Sequence, residues 1–93
     1  MSLEQRVQQL EHREAIKQLR YEYGLYIDKQ RFDEFVDLFT TDAICTYAGV
    51  GTFEGHDGLR ELAGEFIGPN FVYSCHLFHH PTIEIDGDTA TGT

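Results

Sequence analysis

Residues 23–28 read Tyr-Gly-Leu-Tyr-Ile-Asp, which places two phenols and one carboxylate, Tyr23, Tyr26 and Asp28, where an amphipathic pattern ends. A carboxylate in such apolar company must be solvated, paired or at work. Two later residues can converge on it: Tyr47, on the first strand-like run, and His76, inside the apolar run 71–78. An Asp beside a His fixes the imidazole tautomer and makes it a better base, and His titrates near working pH. The hydroxyls of Tyr23 and Tyr47 can donate to a substrate carbonyl and stabilise the enolate left when a neighbouring proton departs. That set suits proton abstraction alpha to a carbonyl, followed by loss of water or a double-bond shift. Such chemistry requires no cofactor.

Plainer readings stand beside this one. His76 can be a core histidine bonded to main chain. Asp28 can be a helix-end carboxylate paired with Lys29 or Arg31. Tyr23, Tyr26 and Tyr47 can be packing aromatics. His76, His79 and His80 invite a metal reading, but no second carboxylate is convincingly placed, and we expect no metal. Cys75 beside His76 is not a nucleophile–base pair, because strand neighbours point to opposite faces. No Walker loop, GxGxxG, GxSxG or HExxH is present.

Composition narrows the classes. The 93 residues fit one domain, and 41% apolar with 25% charged residues is the make-up of a folded chain. A formal net charge of -9 argues against nucleic acid and anionic membrane surfaces, which demand a basic patch. Cys45 and Cys75 lack CxxC spacing and read as buried, reduced thiols of a cytoplasmic protein. Residues 4–14 have no apolar core of the kind a signal peptide needs.

The elements that must position these residues follow from periodicity. Leu3, Val7, Leu10, Ile16, Leu19, Tyr23 and Ile27 mark a long amphipathic helix over 3–29, with Ser2 as its cap. Its first part is a bare heptad seam that can pack on a partner chain. At about 100° per residue, Tyr23 lies about 140° from Asp28, so both can border one cavity only if the helix end is itself enclosed. A short helix over 31–39 buries Phe32, Phe35, Val36 and Phe39. A strand over 43–47 follows, then glycine-rich turns around 52–54. A third helix over 56–66 is stopped by Gly68-Pro69-Asn70, with His56 exposed at its start. The run 71–78 is apolar on both faces and reads as a covered strand. Residues 81–86 alternate with Ile83 and Ile85 inward, and Asp86-Gly87 turns the chain into a strand from 89.

This order of elements resembles a known family. The Tyr-x-x-x-x-Asp that ends the long helix, Phe-x-x-Leu-Phe-x-x-Asp-Ala at 35–43, Gly55, His76, and Pro-x-Ile-x-Ile-Asp-Gly-Asp-x-Ala at 81–90 are similar to SnoaL-like domains of the nuclear transport factor 2-like superfamily. The resemblance implies an α+β fold: a cone-shaped roll of one long N-terminal helix and two shorter helices on a curved, mostly antiparallel sheet. It covers nearly the whole chain and implies that residues 1–93 are a single domain lacking the last strands of the cone. The subgroup it resembles is that of scytalone dehydratase and bile acid 7α-dehydratase. That implies a catalytic pair at Asp28 and His76, and substrate contacts at Tyr47 and Tyr23; Tyr26, on the same helix end, is expected to join them. The implied substrate is small and hydrophobic or polycyclic, and a homodimer or homotrimer is expected. The residue before the aspartate, a tyrosine in scytalone dehydratase, is Ile27 here. A non-catalytic ligand-binding or oligomerisation domain of the same fold is the alternative.

Overall fold

A computed structural model describes residues 1–70 and 74–93. The chain packs as two compact units, Glu22–His76 and Met1–Tyr21 with Leu77–Thr93. Helix α1 (Leu3–Asp28) supplies residues to both. Its start is fixed by a capping box. The Gln5 N–H donates to Ser2 Oγ at 3.1 Å and the Ser2 N–H donates to Gln5 Oε1 at 2.8 Å. Its end is a Schellman turn just beyond Asp28. The Arg31 N–H donates to the Tyr26 carbonyl at 2.7 Å and the Gln30 N–H to the Ile27 carbonyl at 3.0 Å. Gln30 takes the left-handed position that glycine usually fills, with φ 55°.

The Glu22–His76 unit builds its core from Ile27, Phe35, Val36, Phe53, Leu59, Leu62 and Ala63. Helix α2 (Phe32–Asp37) contributes Phe35 and Val36, both fully buried, as its apolar stripe requires. Strands β1 (Ile44–Tyr47) and β2 (Gly51–Glu54) form an antiparallel pair with Tyr47 opposite Gly51. Cys45 and Tyr47 are half-buried while Ile44 and Thr46 face out, the period-two alternation of a strand. Gly55, at φ +66°, turns the chain from β2 into α3 (Gly55–Glu61). There a Cβ would sit 3.1 Å from the Thr41 carbonyl oxygen.

Two expectations change in this stretch. The helix does not stop at residues 68–70. After α3 it widens into a π-type helix over Leu62–Ile67 and then closes with one short turn, α4 (Gly68–Asn70). Pro69 lies in the first turn of that new piece, the part of a helix where proline is best tolerated. His56 is half-buried rather than exposed, its Nε2 2.7 Å from the Phe39 carbonyl oxygen, where it ties the start of α3 to the end of α2.

The other unit joins the N-terminal part of α1 to a hairpin of β3 (Ile83–Asp86) and β4 (Thr89–Gly92). Ile83 is buried and Ile85 half-buried, as the alternation requires. Gly87 supplies the positive φ, 59°, that the two-residue turn needs. Two arginines of α1 hold this segment. Arg13 donates to the Ile83 carbonyl at 3.0 Å, and Arg20 donates to the His79 carbonyl at 3.1 Å with its guanidinium 4.8 Å from the Phe78 ring centre. No helix among the described residues is long and apolar enough to cross a membrane.

The covered strand expected over 71–78 is not found in its described part. Residues 71–73 lie outside the described residues, and 74–78 form no strand. Cys75, Leu77 and Phe78 are exposed there, which corrects the buried reading of Cys75. The physical reason is visible at His76. Its backbone N–H donates to a carboxylate, at 2.7 Å, in place of a neighbouring strand.

Candidate active site

The C-terminal end of α1 presents Asp28 as a partly covered carboxylate, its side chain 19% exposed. Three donors converge on it. His76 Nδ1 lies 2.6 Å from Oδ1, the Ser74 hydroxyl donates to Oδ1 at 2.8 Å, and the His76 backbone N–H donates to Oδ2 at 2.7 Å. A carboxylate is an acceptor only, so Nδ1 carries the hydrogen and Nε2 is the ring's basic nitrogen. Burial by itself raises the Asp28 pKa. The hydrogen bonds from His76 and Ser74 and the attraction of the imidazole charge outweigh it, and the carboxyl sits below its ordinary value. Asp28 therefore stays ionised and can hold the ring in one tautomer and one orientation.

Ser74 and His76 reach the same carboxylate, Ser74 through its hydroxyl and His76 through both its ring and its backbone N–H. Both also line a cavity of about 520 Å³, within the range of small-molecule sites. Its remaining wall is largely apolar: Ile27 from α1, Leu62, Phe66 and Ile67 from the π-type helix, and Val50 from the β1–β2 turn. A π-type turn carries more residues around each turn than an α-helix, and here Leu62, Phe66 and Ile67 all border the same cavity. Asn70 adds an amide at the rim, anchored by donating to the Phe66 carbonyl at 2.7 Å.

Tyr23 and Tyr47 form the polar feature of the wall. Their hydroxyls are 2.7 Å apart, so one donates to the other and a single phenolic hydrogen remains for a ligand. Burial first, then the Tyr23 hydrogen bond and the nearby Tyr23 and Cys45 groups, push the Tyr47 phenol far above its ordinary pKa, so it remains a neutral donor. The Tyr23 ring stands edge-on to His76 with centroids 6.0 Å apart, and packs against Phe35 and Phe39 behind. Burial likewise raises the Cys45 thiol pKa.

Of the residues singled out from sequence, Tyr23, Tyr47 and His76 share this wall. Asp28 stands behind His76 and reaches the cavity through it. That resolves the 140° separation on the helix: Tyr23 meets the space directly, and Asp28 acts on the ring that borders it. Tyr26 does not line the cavity; its ring lies under the Arg31 guanidinium, 5.2 Å away. Sequence reasoning missed Ser74, Asn70 and the π-type segment. Alternation on an extended run pairs Ser74 with His76, but a π-type turn has no hydropathy signature distinct from an α-helix. Among the described residues no three His, Cys, Asp or Glu side chains are grouped as metal ligands.

Comparison with known proteins agrees with this architecture. Uncharacterized proteins Rv2910c of Mycobacterium tuberculosis and Mb2934c of Mycobacterium bovis are each 31% identical over 86 residues, covering 91% of this chain. The chain spans 58% of the length of these curated relatives. Among solved structures, the crystal structure of LinA superimposes with a TM-score of 0.87 at 26% identity, covering 92% of this chain and 59% of that one. A type 2 hexachlorocyclohexane dehydrochlorinase (LinA) gives 0.80 at 25% identity, covering 85% and 53%. The long helix followed by short helices and antiparallel strands is thus the nuclear transport factor 2-like α+β fold. A family model described as SnoaL-like domain matches residues 8–93, and the chain belongs to that family.

Proposed function

We propose that this chain carries the acid/base site of a small-molecule lyase or isomerase of the dehydratase type. The observation that supports it most is the 2.6 Å contact between Asp28 and His76, with the His76 ring on the wall of a mostly apolar cavity beside two phenols. His76 Nε2 removes a proton from a substrate carbon, and the electron pair left behind forms a double bond. A group on the adjacent carbon departs with its own electron pair. If that group is hydroxide, the proton on Nε2 returns to it as water; if it is halide, the proton goes to solvent. Asp28 stays ionised and balances the imidazolium. The Tyr23–Tyr47 pair donates its one remaining hydrogen to a carbonyl oxygen as enolate charge develops. None of these steps needs a cofactor.

The mostly apolar wall fits a small hydrophobic or polycyclic substrate with its polar group at the tyrosine end. A hydroxy-ketone meets that description, and a polyhalogenated ring, the substrate class named for the LinA relative, meets the apolar part. The test is turnover of two probes, a cyclic β-hydroxy-ketone followed by enone absorbance and hexachlorocyclohexane followed by chloride release. Turnover of either, lost on His76→Ala with the fold intact by circular dichroism, is the expected result. Saturable binding of both probes with no product would sink the proposal and leave a non-catalytic ligand-binding domain.

A further inference from the structure

The first turns of α1 carry an apolar stripe that nothing in the site uses. Leu3, Val7 and Leu10 are 72%, 45% and 63% exposed. They are spaced four and three residues apart, as the d, a and d positions of a heptad. The opposite side of the helix faces the β3–β4 hairpin across an open space. His12, about 180° from Leu3 at 100° per residue, borders a space with Gln5, Gln8, Ile85 and Gly87, and Arg13 bonds the Ile83 carbonyl. The hairpin therefore approaches the helix from the side away from Leu3 and leaves the heptad stripe exposed.

We propose that this stripe is the seam of a parallel, two-stranded coiled coil between two copies of the chain. Three features select that occupant. With Leu3 and Leu10 at d, the flanking e positions are Glu4 and Glu11 and the g positions Arg6 and Arg13. In a parallel pair each g side chain meets the e side chain five residues on in the other copy, so Arg6 meets Glu11 twice, related by symmetry. Both residues are exposed, and neither forms an ion pair among the described residues. Second, parallel packing stacks three apolar layers, Leu3 on Leu3, Val7 on Val7 and Leu10 on Leu10. Antiparallel packing sets a against d, so Val7, the one apolar a position, meets one leucine of the other copy and only two apolar layers form. Third, β-branched Val7 at a with leucine at d favours two strands over three. Beyond Leu10 the next seam positions are Glu14 and Lys17, ion-paired within their own helix at 3.6 Å, so the seam ends there. Such a short seam makes a weak, concentration-dependent dimer.

Sedimentation equilibrium of the whole chain from about 10 to 500 μM tests this against a dimer at the weak end of protein association. Dimerisation is expected to vanish in Leu10→Glu, whose exposed position leaves folding intact. Arg6→Glu is expected to raise the dimer dissociation constant about tenfold, because two attractive pairs become repulsive. The exchange Arg6→Glu with Glu11→Arg is expected to restore it. A chain monomeric throughout, a trimer, a dimer untouched by Leu10→Glu, or an exchange variant no tighter than Arg6→Glu overturns the proposal.

Discussion

Asp28→Asn removes one charge and changes no shape, so its cost is set by the hydrogen bonds around the side chain. The carboxylate accepts two hydrogens at Oδ1, from the His76 ring and Ser74, and one at Oδ2, from the His76 backbone. An asparagine offers one oxygen and one NH₂. With the oxygen in the Oδ1 place, the NH₂ faces the backbone N–H of His76, donor against donor. With the amide flipped, the NH₂ faces the imidazole, which must then carry its hydrogen on Nε2 and loses its basic lone pair toward the cavity. Leaving one such donor unsatisfied costs about 1–3 kcal/mol. Loss of the correctly held base costs about 10²–10⁴ in rate. The sign of the pH dependence comes from the depressed Asp28 pKa. The unfolded chain takes up this proton more readily, so the stabilisation from Asp28 is complete above the ordinary carboxylate value and is lost as pH falls through the folded one. Urea unfolding of both proteins should therefore show a gap at pH 7 that closes progressively below about pH 4, where the wild-type carboxyl protonates. The rate of the proposed elimination at pH 7 should fall by at least about a hundredfold. A stability gap of the same size at about pH 2, or a variant within a few-fold of wild-type rate, would refute this account of Asp28.

Tyr47→Phe leaves the Tyr23 hydroxyl without its 2.7 Å partner; calorimetric titration should show carbonyl ligands bound more weakly and hydrocarbons of the same shape bound equally, with stability lower by about 1 kcal/mol. Leu59→Ala opens a hole at a fully buried position of α3 and should cost about 2–5 kcal/mol, seen as a lower urea midpoint at unchanged slope. Gly55→Ala forces a Cβ to 3.1 Å from the Thr41 carbonyl at φ +66°, and should lower the thermal midpoint by an amount equivalent to about 1–3 kcal/mol.

Elements whose signal is local were legible from residue order alone. The long helix, expected over 3–29, spans Leu3–Asp28, because its three-four apolar spacing and the Ser2–Gln5 box act within a few turns. The α2 stripe of Phe35 and Val36 and the β3–β4 turn at Gly87 are legible for the same reason. The 71–78 run shows the limit. An apolar run reads as a covered strand only if its backbone groups find a neighbouring strand, and that is a long-range fact. In the described part the His76 N–H goes to Asp28, and Cys75 and Leu77 are exposed. The widening of α3 into a π-type helix was equally hidden, since hydropathy does not distinguish a five-residue hydrogen-bond spacing from four.

Sequence determined which groups this protein has for chemistry: one carboxylate at a helix end, a histidine in an apolar run, and phenols on a helix and a strand. It also determined the helix turn that separates Tyr23 from Asp28, because helical geometry follows from chain spacing. Only the tertiary structure decided how those groups are arranged around one another. Packing brings residues 28 and 76 within 2.6 Å, sets the carboxylate behind the ring, joins Tyr23 to Tyr47, and turns Tyr26 toward Arg31. Contacts between residues far apart in the chain depend on how separate elements fill shared space, and no local pattern encodes that.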